Sequence, residues 1–343
     1  MISAALKKLI KQAKAQQATD IHICAGAPVV FRIGRDLVPA TEGEVSPQLA
    51  ERLAMEMLTP NQVKQFQEQL DYDLMVADEE GRYRVNVSFN DQMIGVVIRI
   101  LPAAARSIDE LKLPPIVKRL ATHTKGLVLI TGSTSQGKSA TMSGIIDEIN
   151  AHQRRNIITI EDPIETVHLN KMSIVRQREV GRDTKTFYSG LRAALRQDPD
   201  VIAIGEMRDY ETIKIALTAA ETGVLVLSTL HIISIDKLLE RLLSYAPSED
   251  QDHLRFLLAG AMQGVIHQEL IPAVDGGKRV ACEVLISTDA VKNVIRVRDS
   301  FMLRNIIHTG GRHGMINMRQ SIAALLEEGV ITPEVAQSIV ANY

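Results

Sequence analysis

Four short apolar segments in the second half of the chain are each followed at once by a cluster of polar residues. The segments cover residues 127–131, 157–160, 201–204 and 224–227, and the clusters after them read GSTSQGKS, EDPIE, GEMRD and STLH. Apolar residues at helical spacing lie between the segments, as in Met142, Ile145, Ile146 and Ile149. Buried strands that alternate with helices predict an α/β fold with a doubly covered parallel sheet. Because ligands bind at the carboxyl ends of strands in such sheets, the polar clusters predict one shared site.

The first polar cluster, Gly132–Ser139, matches the pattern G-x-x-x-x-G-K-[ST] between a predicted strand and a predicted helix. In this pattern backbone N–H groups and the helix N-terminus hold phosphate oxygens, Lys138 reaches the outer phosphates, and the Ser139 hydroxyl ligates Mg²⁺. The sequence therefore predicts a bound nucleotide with Mg²⁺. The predicted nucleotide-binding residues are Gly132, Ser133, Thr134, Ser135, Gln136, Gly137, Lys138, Ser139 and Ala140.

The middle of this loop reads Ser135-Gln136, where many such loops carry another glycine. If residue 135 has a positive φ, serine there costs on the order of 1 kcal/mol because its Cβ crowds the backbone. That cost slows a step without forbidding binding, so the motif alone leaves the rate of hydrolysis open.

Glu161, Glu206 and His231 stand at the ends of the other three predicted strands. Carboxylates beside a bound triphosphate hold Mg²⁺, directly or through water, or orient and deprotonate the attacking water. We therefore take Glu161 and Glu206 as candidate catalytic residues, with Ser139 and Glu206 as candidate metal ligands. The alternative for both carboxylates is a surface charge. His231 is either a sensor of the phosphate or metal, or a structural residue.

The N-terminal part contains alternating apolar and polar residues over 83–89 and 94–100, which predict a hairpin. If Phe89 lies opposite Ile94, then Arg84 falls directly opposite Arg99 on the polar face. Two facing arginines call for an anion between or near them, which makes both candidate site residues. The alternative is that each arginine is solvated or paired with a carboxylate.

Charge and cysteine content narrow the function class. The 39 Lys and Arg residues are balanced by 41 Asp and Glu residues, so no overall field favours nucleic acid, and we expect no direct nucleic-acid partner. Two cysteines, Cys24 and Cys282, are too few for a disulfide framework, which indicates a reducing compartment. No apolar run reaches the roughly 20 residues that span a bilayer, so we expect a cytoplasmic protein without a transmembrane segment.

The pattern predicts a smaller α+β domain at 1–101, a linker at 102–115 rich in Ala and Pro, and an α/β domain with the phosphate loop at 116–343, whose part after about Ala246 is mostly helical. An amphipathic helix opens the chain and is expected to pack on its own domain or a neighbouring subunit, with a membrane surface as the alternative. Ser46-Pro47 and Thr59-Pro60 mark two further helix starts.

Taken in order, these motifs resemble the secretion and type IV pilus ATPases, and most closely the PilT-like retraction motors. The resemblance spans almost the whole chain and rests on segments at 18–33, 83–86, 96–100, 132–139, 158–168, 195–209 and 227–231. The segments 158–168, 195–209 and 227–231 look like the Asp box, the Walker B segment and the His box of that family. The segment 290–296, AVKNVIR, looks like a variant of a motif associated with retraction.

The resemblance implies a homohexamer whose subunits join a PAS-like N-terminal domain to a RecA-like P-loop ATPase domain. It implies ATP and Mg²⁺ as cofactors, an inner-membrane pilus platform protein as partner, and a second pilus ATPase as a further possible partner. Glu161 and Glu206 would divide the water-activating and metal-side roles. Arg84 and Arg99 match arginines that contact the γ-phosphate. The implied activity is ATP hydrolysis that powers pilus retraction and twitching motility.

The chain departs from the usual family pattern at Ser133, Ser135 and Ala140 in the loop, at Ile232 and Ile233 after the His box, and at residues 291–292. These departures keep two other functions open. One is a nucleotide-binding partner subunit with low turnover that assembles with another motor. The other is a motor of a type II or type IV secretion or conjugation system.

Overall fold

The computed structural model describes residues 3–34, 36–102, 104–297, 299, 302–341 and 343. The chain divides into two compact units, Met1–Ala103 and Ala104–Tyr343. In the segment expected to be a linker, residue 103 lies outside the described residues. Ile108, Leu111 and Leu113 are buried in a core of the second unit, so this stretch is packed rather than free.

The first unit is an α+β assembly around one antiparallel sheet. Its described strands are ordered β3-β2-β1-β6-β5-β4. Its elements are α1 (Ala4–Ala15), β1 (Asp20–Cys24), β2 (Pro28–Ile33), β3 (Asp36–Glu44), α2 (Pro47–Met55), α3 (Pro60–Gln69), β4 (Asp71–Asp78), β5 (Gly81–Asn90) and β6 (Met93–Ile100).

Local sequence signals in this unit are confirmed. Helix α1 buries Leu6, Ile10 and Ala13 in the unit's own core, which is the packing expected of its apolar face. The Ser46 and Thr59 side chains cap α2 and α3, and a proline opens each helix. The hairpin register is also as predicted, because β5 and β6 pair Phe89 with Ile94 and Arg84 with Arg99.

The second unit is built on a sheet ordered β13-β12-β7-β11-β10-β8-β9 in the described residues. All neighbouring pairs are parallel except β12 and β13, which are antiparallel. Its elements are α4 (Ile116–Ala121), β7 (Gly126–Thr131), α5 (Lys138–His152), β8 (Asn156–Glu161), β9 (Ile174–Glu179), α6 (Phe187–Ala194), β10 (Val201–Ile204), α7 (Tyr210–Glu221), β11 (Leu225–Leu230), α8 (Leu238–Leu243), α9 (Gln251–Ala261), β12 (Met262–Pro272), β13 (Lys278–Ile286), α10 (Asp289–Val297), α11 (Met302–Thr309), α12 (Met318–Glu327) and α13 (Pro333–Val340).

The four predicted strands are β7, β8, β10 and β11, and their parallel arrangement is confirmed. Alternate side chains of β7 pack in two different hydrophobic cores. Leu127 and Leu129 pack in the core that includes residues of α7, and Val128 and Ile130 pack in the core that includes residues of α5. Helices therefore cover both faces of the sheet. This burial on both sides explains why the strands read as continuous apolar runs.

Two parts of the sheet were not predicted. The polar sequence of β9 gave no strand signal, and the stretch after Ala246 contains the hairpin β12–β13 besides its helices. In β12, His267 and Gln268 are buried and interrupt the apolar pattern. The expectation of a helical C-terminal part was therefore incomplete. Among the described helices, none combines the length and the apolar character needed to cross a membrane.

Candidate functional site

The loop between β7 and α5 has a backbone that favours glycine at two positions and strains a third residue. Gly132 and Gly137 have φ values of +146° and +81°, and Ser135 has φ +62°. A Cβ on Gly132 would lie 2.5 Å from the carbonyl oxygen of Gln268, so no side chain fits there without a shift of the backbone. The positive φ considered for residue 135 from the sequence is present, and Ser135 carries its steric cost.

The N-terminus of α5 is open toward the loop. Its N-cap is Gly137, and no side chain accepts a hydrogen bond from the first turn. Ser139 and Ala140 in that turn are exposed. The unpaired N–H groups of a helix start attract an anion, so the geometry suits a phosphate.

Lys138 is the buried cation of the loop. Its Nζ donates to the carbonyl oxygens of Gly132 at 2.9 Å and Ser133 at 2.7 Å, and it lies 3.1 Å from Nδ1 of His231. Desolvation by burial lowers the pKa of Lys138 below 10.5, and the charge of Glu206 opposes this shift. The ammonium group is thus held at the mouth of the loop, where outer phosphates would lie.

His231 links the lysine to a carboxylate. Because an ammonium group only donates, Nδ1 of His231 accepts from Lys138 and the ring proton belongs on Nε2. Nε2 lies 3.4 Å from Oε2 of Glu206. Burial, followed by the charge of Lys138, lowers the pKa of His231 below 6.5, so the ring is neutral at pH 7. His231 is therefore a bridge between two charged groups of the site.

Glu206 follows β10 and is paired on its other side with Arg208, whose guanidinium lies 2.8 Å from Oε2. Lys138 begins α5 after the loop that follows β7, while His231 and Glu206 follow β11 and β10, and these three strands are adjacent in the sheet. The expectation that these strand ends meet is confirmed. Arg208 was not singled out from the sequence, although it stands in the same polar cluster as Glu206.

Glu161 ends β8, the next strand along. Its Oε1 accepts hydrogen bonds from Thr159 at 2.6 Å and from Gln177 of β9 at 3.0 Å. Gly205, which precedes Glu206, donates its N–H to Ile160 at 2.8 Å. The two carboxylate-bearing strand ends are therefore neighbours, and the side chain of Glu161 is oriented by β8 and β9.

Arg84 and Arg99 face each other in the first unit and line a cavity of about 250 Å³ with Asp20, Asp73, Asn86 and Val97. Arg84 pairs with Asp73 at 3.3 Å and Arg99 with Asp20 at 2.7 Å. The carboxylate pairing considered as the alternative is thus what the structure contains. Both guanidinium groups remain partly exposed, so an anion could exchange for either partner.

Strand β12 supplies contacts to the loop that gave no sequence signal. Nε2 of Gln268 donates to the carbonyl oxygen of Gln136 at 2.7 Å, and the N–H of Leu270 donates to Oε1 of Gln136 at 2.5 Å. Nδ1 of His267 lies 3.1 Å from the hydroxyl of Thr131, the last residue of β7. These contacts depend on the pairing of β12 with β7, which the sequence pattern did not reveal.

The donor set suits Mg²⁺ that is shared with phosphates. Among the described residues, no group of three His, Cys, Asp or Glu side chains could enclose a metal ion. Mg²⁺ is usually held by one or two protein oxygens, substrate phosphates and water. The Ser139 hydroxyl in the first turn of α5 and the carboxylate of Glu206 are groups of this kind.

The family model for "Type II/IV secretion system protein" matches residues 1–342. The chain belongs to this family. It is 38% identical over 333 residues to the type IV pilus retraction ATPase PilT of Pseudomonas aeruginosa. The aligned residues make up 97% of each of the two chains. It is 36% identical to the twitching motility protein of Neisseria gonorrhoeae, over 98% of this chain and 90% of that one.

Among solved structures, the pilus retraction motor PilT with bound ADP is similar to this member of the type II/IV secretion system family at a TM-score of 0.89 and 38% identity. The match covers 96% of this chain and 95% of that one. Both compact units of the chain therefore fall within the shared fold.

Proposed function

We propose that the protein is an ATP-hydrolysing motor that powers retraction of a type IV pilus. The observation that carries the proposal is the line of contacts from Lys138 through His231 to Glu206, which joins the start of α5 to the residues that follow β11 and β10. The two relatives named for pilus retraction and twitching motility support the coupling of this site to a pilus.

In this proposal the second unit is a RecA-like P-loop ATPase domain and the first is a PAS-like domain. The domains span 1–101 and 116–343, with 102–115 between them. Six copies form a ring at the cytoplasmic face of the inner membrane, act on a pilus platform protein, and work beside a second pilus ATPase where one is present. The proposal includes no direct nucleic-acid contact.

The loop residues have defined tasks in the reaction. The N–H groups of residues 133–140 bind phosphate oxygens, and Lys138 exchanges the carbonyls of Gly132 and Ser133 for the outer phosphates. Ser139 and Glu206 would hold Mg²⁺, which neutralises charge on the β- and γ-phosphates when bound. Binding of the triphosphate thus replaces the contacts that Lys138 makes in the described structure.

The carboxylates act on the water that attacks the γ-phosphorus. Its proton passes to Glu161 or Glu206 as the bond to the bridging oxygen breaks, and ADP leaves with inorganic phosphate. Arg84 and Arg99 would stabilise the charge that develops on the transferred group. Their carboxylate partners, Asp73 and Asp20, keep the arginine pair stable until the phosphate replaces them.

Steady-state ATPase assays on single variants test the enzymatic part. Lys138→Ala is expected to abolish turnover, because it removes the cation at the outer phosphates. Arg84→Ala and Arg99→Ala are expected to lower turnover at least about tenfold. The exposed Arg84–Asp73 pair adds little stability, so Arg84→Ala should stay folded, whereas Arg99→Ala leaves the buried Asp20 without its cation and its fold is checked by thermal unfolding. Arg52→Ala, an exposed arginine on α2, is the matched control. Near-normal turnover in all three site variants would refute the proposal.

Deletion of the gene for this protein in the source organism tests whether the motor retracts or assembles pili. Excess immobile fibres would support retraction, whereas loss of fibres would indicate assembly. Unchanged pili together with a secretion or conjugation defect would assign the motor to another machine.

A second candidate is a nucleotide-binding partner subunit with low turnover, which the strained Ser135 favours. The isolated protein separates the two candidates. Robust ATP turnover without any other motor excludes the passive subunit, and turnover that appears only after a second ATPase is added supports it.

A further inference from the structure

Gln136 is the residue that follows the strained Ser135, and it is attached to β12 at two points. Its side-chain Oε1 accepts from the N–H of Leu270 at 2.5 Å. Its own carbonyl oxygen accepts from the side-chain Nε2 of Gln268 at 2.7 Å. One residue of the loop is therefore held to one strand by a side-chain contact and a backbone contact.

The strand explains why a glutamine suits this position. The last pair between β7 and β12 joins Thr131 to His267, so Leu270 lies three residues beyond the end of β7. With no strand carbonyl beside it on that side, the N–H of Leu270 takes the amide oxygen of Gln136 instead. The side chain of Gln136 thus supplies the acceptor that a longer β7 would have supplied.

The described hydrogen bond of the Gln268 side chain is its donation from Nε2 to the carbonyl oxygen of Gln136. This side chain is fully buried, and no described residue forms a hydrogen bond with its other amide atom, Oε1. Burial of an amide costs free energy unless the amide is hydrogen-bonded, and the donation of Nε2 to the Gln136 carbonyl offsets part of that cost. The backbone carbonyl of Gln268 also faces the loop, where it closes the space around Gly132.

We propose that Gln136 is a positioning residue: clamped to Gln268 and Leu270, it holds Ser135 in its left-handed backbone conformation and so keeps the loop ready for phosphate. A glycine adopts that conformation freely, whereas serine resists it. The two hydrogen bonds of Gln136 thus stabilise a backbone conformation at residue 135 that glycine would adopt without strain. This inference rests on the proposed nucleotide site.

Equilibrium binding of ADP to the full chain tests the clamp without using turnover. Gln136→Ala is expected to weaken ADP binding about tenfold, because the loop loses the contact that holds it. In the Ser135→Gly background the same change is expected to weaken binding about twofold or less, since glycine needs no clamp. Gln337→Ala, on the exposed face of α13, is the matched control and should bind ADP as the wild type does.

ADP affinity of Gln136→Ala equal to that of the wild type would overturn the proposal, and so would equal losses in the wild-type and Ser135→Gly backgrounds. Thermal unfolding shows whether the variant is folded, and Gln136→Ser is the second choice if it is not. Steady-state kinetics adds a further readout: the clamp predicts a rise in KM for ATP that is larger than the fall in kcat. If the wild type itself binds no ADP or ATP, the nucleotide site fails rather than the clamp.

Discussion

At the scale of single residues, the neighbours of His231 determine which of its two ring nitrogens carries the proton. Lys138 needs an acceptor at Nδ1 of His231, and Glu206 lies near Nε2. Only the neutral ring with its proton on Nε2 serves both neighbours. The chemistry of the site therefore depends on His231 staying neutral.

This dependence predicts a response to pH. Since burial lowers the pKa of His231 below 6.5, the neutral ring predominates above pH 6.5, and its contribution is lost as the pH falls through the lowered pKa. Protonation fills Nδ1 and places a positive charge beside Lys138. The kcat/KM for ATP is expected to fall on the acid side with an apparent pKa below 6.5.

Profiles of kcat/KM between about pH 5 and about pH 8 check this prediction. His231→Gln, whose amide oxygen still accepts from Lys138, should flatten the acid limb. His253→Gln, on the exposed side of α9, should leave it in place. An unchanged acid limb in His231→Gln would mean that another group titrates.

At the scale of elements, β12 is the wall against which the loop after β7 rests. The strand pairs with β7 up to Thr131, then continues past it, and presents the backbone of Gln268 and Leu270 to the loop. The shape of the phosphate cradle is thus decided by a strand that lies more than 130 residues further along the chain. Packing of the loop on this strand leaves no room for a side chain at Gly132.

Gly132→Ala tests this packing. The new Cβ would meet the Gln268 carbonyl, and we expect a loss of about 2–3 kcal/mol in the free energy of unfolding together with weaker ADP binding. Gly181→Ala is the matched control, because Gly181 also has a positive φ but open space around its Cα. It should lose only about 1 kcal/mol, from backbone strain, and keep its ADP affinity.

Chemical denaturation and ADP titration of both variants give the comparison. Equal losses of stability and affinity in the two would show that strain at the glycine, and not contact with β12, limits the loop.

At the scale of the whole molecule, the residues to which the proposed function gives tasks lie in two compact units. The loop, Glu161, Glu206 and His231 belong to the second unit, and Arg84 and Arg99 belong to the first. In the proposed hexamer, the subunits of one ring act together. The proposed hexamer therefore has a consequence for mixtures of active and inactive subunits.

Wild-type protein mixed with Lys138→Ala before ring assembly is expected to lose activity faster than in proportion to the inactive fraction. An equal mixture should fall well below half of the wild-type rate, because most rings then contain inactive subunits. ATPase assays across mixing ratios measure this, with Gln337→Ala subunits as the control for dilution. A strictly linear decline would indicate subunits that hydrolyse ATP independently.

Much of the second unit and of its site was predictable from local pattern. Continuous apolar runs mark strands buried on both faces, so β7, β8, β10 and β11 were identified together with the polar residues at their ends. The hairpin β5–β6 was predictable to the register, because a period of two leaves few ways to match the apolar faces. Helix starts at Ser46 and Thr59 follow from capping chemistry within a few residues.

The sequence by itself identified the candidate phosphate-binding residues and the strand ends that carry acidic residues, because these features are encoded in neighbouring residues. Only the tertiary structure decided that Arg84 and Arg99 pair with Asp73 and Asp20, and that the ring of His231 joins Lys138 to Glu206. It also decided that β12 supports the loop through Gln136. Such contacts join segments far apart in the chain, and no local period of apolar residues specifies which distant segments will meet.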